Sequence, residues 1–183
     1  MPRLFVGIDL PTAVDDHLEL MSHGLFGARW EGRDKFHLTL RFLGEVDGRV
    51  HRATIDALQE LESPPFSLQL KGVGVFPPRG LPGSVWAGVA EPGPVTQLRH
   101  RVDACLRQVD GIEPDPRKFA PHVTIARVGD CAVEDVMGYL GAHALLRSEA
   151  FPVERIFLFS SVRSPKGSSY RIEAGFRLRA PAV

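Results

Sequence analysis

The chain has 183 residues, of which 44% are hydrophobic and 24% charged, and its 22 Lys and Arg residues balance its 22 Asp and Glu residues. This composition suits a globular protein with material for a real core, and the zero formal charge excludes a global basic field for nucleic acid. No stretch of the chain reaches about 18 apolar residues, the length of a membrane span, and two cysteines are too few for a disulfide scaffold. The chain also opens without a signal-peptide pattern, so a cytoplasmic protein is expected.

The first half of the chain is predicted to alternate strands with helices. Apolar runs and period-two alternation indicate strands, whereas apolar residues at three- and four-residue spacing indicate helices. The predicted elements are a strand at 3–10, a helix from Pro11 to about Leu25, a loop at 24–32, a strand at 36–43, a helix from about Val50 to Leu61 and a strand at 66–76.

The second half repeats this order after a Pro- and Gly-rich loop at 77–83. The predicted elements are a strand at 84–90, a helix from Pro92 that ends before Gly111, a strand ending at about Arg127, a helix at 133–140 and closing strands at 153–161 and 169–178, joined by a turn at 163–167. Such a repeat predicts an α+β fold of two related halves, with sheets inside and helices outside.

One short pattern occurs once in each half. It reads His37-Leu38-Thr39-Leu40 in the first half and His122-Val123-Thr124-Ile125 in the second, and each copy closely follows a Lys-Phe pair. On a strand, residues two apart share a face, so each His and its Thr point one way while the apolar residues point the other. The chain has seven His residues, and the probability that two of them are followed by Thr two positions later by chance is on the order of 2%.

Two facing imidazoles predict acid–base chemistry. Histidine titrates near neutral pH, so one ring can be neutral and accept a proton while the other is protonated and donates one. The two Thr hydroxyls would donate hydrogen bonds to an oxygen on which negative charge develops, and a phosphodiester fits this layout. Neither motif has a carboxylate or third His at close spacing for a catalytic zinc, and the chain lacks the G-x-S-x-G of a Ser-His-Asp hydrolase, so no metal and no cofactor are expected.

The chain resembles the 2H phosphoesterase superfamily, which is named for two His-x-Thr-x motifs, and within it the RNA 2′,3′-cyclic phosphodiesterases, also called 2′-5′ RNA ligases. Five stretches carry the resemblance over nearly the whole chain: RLFVGIDLP at the start, FHLTLRFLGEV, the F-x-L-x-L-x-G-V-G-x-F-P strand at 66–77, KFAPHVTIAR and the FSS…Y ending at 159–170. The resemblance implies one domain over residues 1–183, built from two pseudo-symmetric lobes whose antiparallel sheets line a central cleft.

The resemblance also implies the reaction and the roles. It implies hydrolysis of a terminal 2′,3′-cyclic phosphate on RNA to a 2′-phosphate, with His37 as proton donor to the departing 3′-oxygen and His122 as the base that activates water. Thr39 and Thr124 would hold the phosphate.

Three further residues are candidates for substrate binding. Arg127 matches an arginine that follows the second motif in the family, but its strand parity is opposite to that of His122, so either the strand twists at its end or the arginine has another role. Arg41 is on the face of His37 by parity, although a solvated strand end is an equal interpretation. Tyr170 could stack on a base.

Alternative functions remain open at this point. The same steps run backwards would make a 2′-5′ RNA ligase, and a third hypothesis is a non-catalytic RNA- or nucleotide-binding module. The expected partner is RNA with a 2′,3′-cyclic phosphate end or a small cyclic nucleotide, and a monomer with no membrane association is expected.

Overall fold

The computed structural model describes residues 2–77, 80–164 and 167–181. The strands are β1 Arg3–Asp9, β2 Arg29–Trp30, β3 His37–Glu45, β4 Phe66–Leu68, β5 Leu70–Phe76, β6 Ser84–Val89, β7 His122–Arg127, β8 Phe151–Val153, β9 Arg155–Ser164 and β10 Gly167–Arg177. The helices are α1 Thr12–Leu20, α2 Gly48–Gln59, α3 Pro92–Leu106 and α4 Val133–Ala142, with a 3₁₀ helix at Arg33–Lys35. In the part of the chain described, none of these helices is long and apolar enough to cross a membrane.

The large sheet has eight strands in the order β10-β9-β1-β3-β7-β6-β5, with β2 paired to β7 off this path, while β4 and β8 form a small second sheet. The pairs along this order are antiparallel, and β3 meets β7 at a single register pair, Leu38 with Val123. The predicted α+β fold is confirmed. The two sheets expected from the sequence are joined at this pair into one continuous sheet.

The closing strands of each half of the chain pair with strands of the other half. Strand β5, which belongs to the first half, pairs with β6, and β9, which belongs to the second half, pairs with β1. We call β10, β9, β1 and β3 the first lobe, and β7, β6, β5 and β2 the second lobe. Each lobe therefore contains strands from both halves of the sequence. A pseudo-twofold relation between the lobes stays a prediction.

The core lies on one face of the central strands. Leu38 and Leu40 of β3 and Val123 and Ile125 of β7 are at most 1% exposed, and they belong to one cluster with apolar residues of α3. Burying such side chains contributes about 1.5–3 kcal/mol each. Because side chains alternate along a strand, packing these residues into the core directs His37, Thr39, His122 and Thr124 to the opposite face.

Several boundaries differ from the sequence prediction for local reasons. Helix α1 ends at Leu20 rather than Leu25, where the Ser22 hydroxyl donates to the Leu18 carbonyl and Gly24 follows with a φ of 83°. The predicted strand at 66–76 is two strands, because β4 pairs with β8 whereas β5 pairs with β6. The closing strand likewise divides into β8 and β9. Of the predicted turn at 163–167, Pro165 and Lys166 lie outside the described residues.

Candidate active site

The single pair between β3 and β7 places the two motifs side by side. Because the strands are antiparallel and Leu38 faces Val123, His37 lies beside Thr124 and Thr39 lies beside His122. The four side chains share the face of the sheet that the core does not occupy, and each is partly buried. The structure thus brings together the four residues that the sequence singled out on one surface at the junction of the lobes, which we call the groove. Thr39 and His122 also line a cavity there.

Both imidazoles are held in the same way. The Nδ1 atom of His37 lies 2.7 Å from the Lys35 carbonyl oxygen, and the Nδ1 atom of His122 lies 2.7 Å from the Ala120 carbonyl oxygen. A carbonyl oxygen only accepts hydrogen bonds, so each Nδ1 carries the hydrogen and each Nε2 is left to exchange a proton. The Nε2 of His37 is 3.0 Å from the Thr39 hydroxyl, which donates to it when the ring is neutral.

The ring of His37 sits among aromatic side chains of the first lobe. Its centroid lies 4.7 Å from that of Phe5, 5.0 Å from that of Tyr170 and 5.9 Å from that of Phe159. Burial in these surroundings disfavours the charged ring and lowers the pKa of His37 from 6.5 to about 4, with smaller contributions in the same direction from His122 and Arg127. The free site therefore holds His37 as a neutral imidazole at neutral pH.

The ring of His122 is packed in a corresponding way by the second lobe. Its centroid is 4.8 Å from that of Phe76 and 6.2 Å from that of Trp86. Strand β5 carries Gly74 opposite Trp86, and a Cβ there would lie 2.3 Å from the indole ring, so only glycine leaves room for it. Burial lowers the pKa of His122, and the charge of Arg127 adds to that effect.

A bulge in β7 explains where Arg127 points. The pairing with β6 steps from Thr124 with Trp86 to Ala126 with Val85, so Ile125 is an extra residue without a partner. An extra residue reverses the alternation beyond it, and Arg127 thereby returns to the face of His122. Its half-exposed guanidinium donates to the Glu31 carboxylate over 3.2 Å, and its charge lowers the pKa of both histidines. The sequence places Arg127 on the opposite face of the strand from His122, and the bulge brings it back to the same face.

A matching bulge in β3 turns Arg41 the other way. The pairing with β1 steps from Thr39 with Gly7 to Arg41 with Val6, which leaves Leu40 as the extra residue. The expectation that Arg41 shares the face of His37 is wrong, because this bulge directs its side chain towards α3. Arg41 is only 4% exposed, and it contacts protein groups below the groove instead of lining the groove as a substrate ligand.

Arg41 belongs to a buried ion cluster that sequence reasoning did not find. We define the cluster as Arg41 and Arg99 with the carboxylates of Asp103 and Asp115. The nitrogens of Arg41 lie 3.6 Å from Asp103 and 3.5 Å from Asp115, and those of Arg99 lie 2.5 Å and 3.6 Å from the same two carboxylates.

The ion cluster fixes the loop that precedes β7 to strand β3. Arg41 donates to the Glu113 carbonyl and Arg99 donates to the Leu40 carbonyl, so the loop at 113–120 is fixed to the part of β3 that lies beyond its pair with β7. This loop ends in Ala120, the residue whose carbonyl orients His122. The four charges come from three separate segments, and a local pattern connects only Arg99 and Asp103, which are four residues apart on α3.

Tyr170 stands at the His37 end of the groove. Its ring meets His37 edge-on and Phe5 at a centroid distance of 5.2 Å. Burial, with a further contribution from Glu31, raises the pKa of its hydroxyl above the usual value, so Tyr170 is a neutral hydrogen-bond donor at neutral pH. Its role in substrate binding stays a prediction.

The fold and the paired motifs define a class of protein with two His-x-Thr strands at the junction of one antiparallel sheet. The family model of the 2′-5′ RNA ligase superfamily matches residues 16–165. The chain is 30% identical over 174 residues to the RNA 2′,3′-cyclic phosphodiesterase of Archaeoglobus fulgidus, covering 92% of this chain and 96% of that protein. The chain therefore belongs to the 2′-5′ RNA ligase superfamily.

Solved structures have the same fold. The crystal structure of the Thermus thermophilus protein TT0787 superposes with a TM-score of 0.83 at 26% identity, covering 98% of this chain and all of that chain (100%). The structure of E. coli LigT complexed with NADP⁺ gives a TM-score of 0.77 at 25% identity over 97% of this chain and 98% of LigT. The topology is thus that of known structures over nearly its whole length.

Proposed function

We propose that this protein hydrolyses 2′,3′-cyclic phosphate ends of RNA to 2′-phosphomonoesters by acid–base catalysis between His37 and His122. The observation that carries the proposal is the matched pair of imidazoles. Each has its Nδ1 bound to a backbone carbonyl two residues earlier in the chain, and each has a Thr of the facing motif beside it. The Archaeoglobus relative bears the name of this activity, and LigT was crystallised with a dinucleotide, NADP⁺.

The reaction follows from this arrangement. The neutral Nε2 of His122 takes a proton from water, and the water oxygen forms a bond to phosphorus. The bond from phosphorus to the 3′-oxygen breaks, and that oxygen takes a proton from the protonated Nε2 of His37. The product has a 2′-phosphate and a free 3′-hydroxyl, and the two histidines end in exchanged protonation states.

The neighbouring groups suit the charge of the substrate. The hydroxyls of Thr39 and Thr124 can each donate to a non-bridging phosphate oxygen, and Thr39 leaves its contact with His37 to do so. The guanidinium of Arg127 supplies a positive charge near both imidazoles. Hydrogen-bond donors positioned where charge develops usually make the largest single contribution to such a step.

The first test follows the product of a short oligoribonucleotide that ends in 2′,3′-cyclic phosphate. With EDTA present, we expect turnover to a 2′-phosphomonoester, identified by its resistance to an enzyme that removes only 3′-phosphates. A 3′-phosphate would show that the 2′-oxygen departs and would reverse the leaving-group assignment. Turnover that appears only after a divalent metal is added would contradict the proposed chemistry.

The second prediction concerns pH. The acid must be protonated, and burial lowers the pKa of His37 to about 4 in the free protein, so activity falls as pH rises through that pKa. An anionic phosphate between the rings stabilises the imidazolium and raises its pKa. We therefore expect the alkaline limb of the kcat profile, which reports the complex, at higher pH than that of kcat/KM, which reports the free enzyme.

The variant Arg127→Gln gives a second test of the pH dependence. Arg127 lowers the pKa of both histidines, so Arg127→Gln should move the limb of kcat/KM towards higher pH while it weakens substrate binding. If the alkaline limbs of kcat and kcat/KM lay at the same pH, the idea that the bound substrate raises the pKa of the proton donor would be contradicted.

A further inference from the structure

A row of polar side chains crosses three strands of the first lobe. Arg3 of β1 pairs with Ser161 of β9, and Ser161 pairs in turn with Tyr170 of β10, so the three residues stand side by side on adjacent strands. Each of them is partly buried. We call these three residues the polar row, and the hydrolysis step described above does not use Arg3 or Ser161.

The polar row lies on the groove face of the sheet. Leu4 and Val6 of β1 belong to the core cluster, so alternation turns Arg3 and Phe5 to the other face. The ring of Phe5 packs on His37, with 4.7 Å between the centroids. Because Arg3 is two residues away on the same strand, its backbone lies about 6.6 Å further along the sheet. The polar row is therefore a neighbour of the catalytic pair and separate from it.

The polar row supplies hydrogen-bond donors and one positive charge. A guanidinium only donates hydrogen bonds, and both hydroxyls are able to donate. Burial raises the pKa of Tyr170, so its hydroxyl keeps its proton, whereas the charge of Arg3 lowers that pKa, as a guanidinium near the phenol must. A phosphodiester has one negative charge and free acceptor oxygens, and it matches these groups.

Three carboxylates lie near the polar row without binding it. Glu31 accepts a hydrogen bond from Arg127 over 3.2 Å. Asp34 and Glu45 are exposed, so water and salt screen their charges. Among the residues that the structure describes, no carboxylate forms a salt bridge with Arg3. The guanidinium is thus available to an anion from outside the protein.

The place of the polar row suits the RNA strand that leads to the cyclic phosphate. The RNA is the phosphoryl donor, and in the proposed reaction its 3′-oxygen departs towards His37, so the terminal ribose lies at the His37 end of the groove. The strand continues from the 5′ carbon of this ribose, away from His122. Strands β1, β9 and β10 lie on the side of β3 that is away from β7, and the polar row is on these strands.

We propose that the polar row binds the internucleotide phosphate that precedes the terminal nucleotide, and that the protein thereby prefers RNA strands to nucleoside 2′,3′-cyclic phosphates. This inference rests on the proposed function. The guanidinium of Arg3 supplies the positive charge, and the hydroxyls of Ser161 and Tyr170 donate to the free oxygens of this phosphate. A mononucleotide lacks the phosphate and leaves the polar row empty.

The experiment compares three phosphoryl donors. They are uridine 2′,3′-cyclic phosphate, a dinucleotide that ends in the same group, and the same dinucleotide with an uncharged methylphosphonate linkage. The upstream sugar of both dinucleotides is 2′-deoxyribose, which keeps the methylphosphonate stable. For the unaltered protein we expect kcat/KM for the phosphodiester dinucleotide to exceed the other two values by about 10-fold, the lower end for a hydrogen bond to a charged group.

Arg3→Gln should remove this preference. We expect kcat/KM for the phosphodiester dinucleotide to fall by about 10-fold. The values for the mononucleotide and the methylphosphonate should stay within about twofold, because neither carries the charge that Arg3 meets. Ser161→Ala should lower kcat/KM for the phosphodiester dinucleotide by about threefold, since a neutral donor is lost. This second variant keeps the test informative if Arg3→Gln fails to fold.

A matched control removes the same charge from the other face of the sheet. Arg171 follows Tyr170 on β10 and is exposed, and alternation turns its side chain away from the groove. Arg171→Gln should leave all three kcat/KM values within about twofold. A loss equal to that of Arg3→Gln would mean that the overall charge of the protein, and no bound phosphate, sets the preference.

The remaining outcomes overturn the inference in distinguishable ways. A methylphosphonate dinucleotide as good as the phosphodiester would show that the upstream nucleoside is recognised instead of its phosphate. Equal losses on all three substrates in Arg3→Gln would make Arg3 a support of the whole site. Equal kcat/KM values for all three substrates in the unaltered protein would remove the phosphate site and leave the proposed function standing. Absence of hydrolysis of every substrate would remove the proposed function together with this inference.

Discussion

Replacing His122 with alanine is expected to lower the turnover of 2′,3′-cyclic phosphate ends by about 10²–10⁴-fold, the usual contribution of a positioned general base. The ring is packed against Phe76 and hydrogen-bonded to Ala120, so its position is fixed before the substrate binds. His37→Ala should cause a loss of the same order. The double variant should lose little more than either single variant, because the two groups act in one step. Initial rates on a single oligoribonucleotide donor measure all three.

The control is a histidine outside the groove. His100 is exposed on α3, and His100→Ala should retain the unaltered rate. Binding of a non-hydrolysable RNA end should be measured on the same variants, because a binding module would keep its affinity when His122 is removed and would have no rate to lose. Unchanged turnover in His122→Ala would therefore rule out the two-histidine mechanism.

The faces of the two motif strands could be predicted from the sequence because alternation is a local property. His37 and Thr39 share a face, and Leu38 and Leu40 are in the core, as period two requires. The repeat of the pattern also predicts that both strands belong to one site. Their pairing at Leu38 and Val123 satisfies this expectation.

The direction of the arginines that follow the motifs could not be predicted. A bulge is a mismatch between two strands, so it depends on the partner and not on the bulged strand alone. Leu40 and Ile125 look like ordinary apolar strand residues, yet their lack of a partner reverses the faces of Arg41 and Arg127. The two-residue strand β2 was missed for a related reason, because Arg29 and Trp30 have strand structure only through their pairing with β7.

Replacing Asp115 with asparagine is expected to lower the free energy of unfolding by about 3 kcal/mol, the lower end of the cost of removing one partner from a buried ion pair. The side chains of Arg41 and Arg99 are 5% and 6% exposed, so neither guanidinium can recover its hydration when the carboxylate charge is lost. Asp103 still neutralises part of the positive charge of the two arginines, so we expect a cost at the lower end of that range. The measurement is denaturant unfolding with an unchanged m-value.

Two comparisons test whether the ion cluster itself is responsible. Asp56 is exposed on α2, and Asp56→Asn should change the free energy of unfolding by less than about 0.5 kcal/mol. Arg41→Met combined with Asp115→Asn should cost less than the sum of the single changes, because each single change leaves an opposite charge buried. Additive costs would mean that the two groups do not interact.

Loss of the ion cluster should also lower the catalytic rate, because Asp115 anchors the loop that ends at Ala120, whose carbonyl binds His122. Without that anchor we expect the Nδ1 contact of His122 to loosen, so that the ring no longer holds Nε2 where it can take the proton of the attacking water. Asp115→Asn should therefore lower kcat at a temperature where the variant is still folded, with the larger effect on kcat than on the donor KM. A stability loss with kcat unchanged would show that the ion cluster supports the fold without positioning the base.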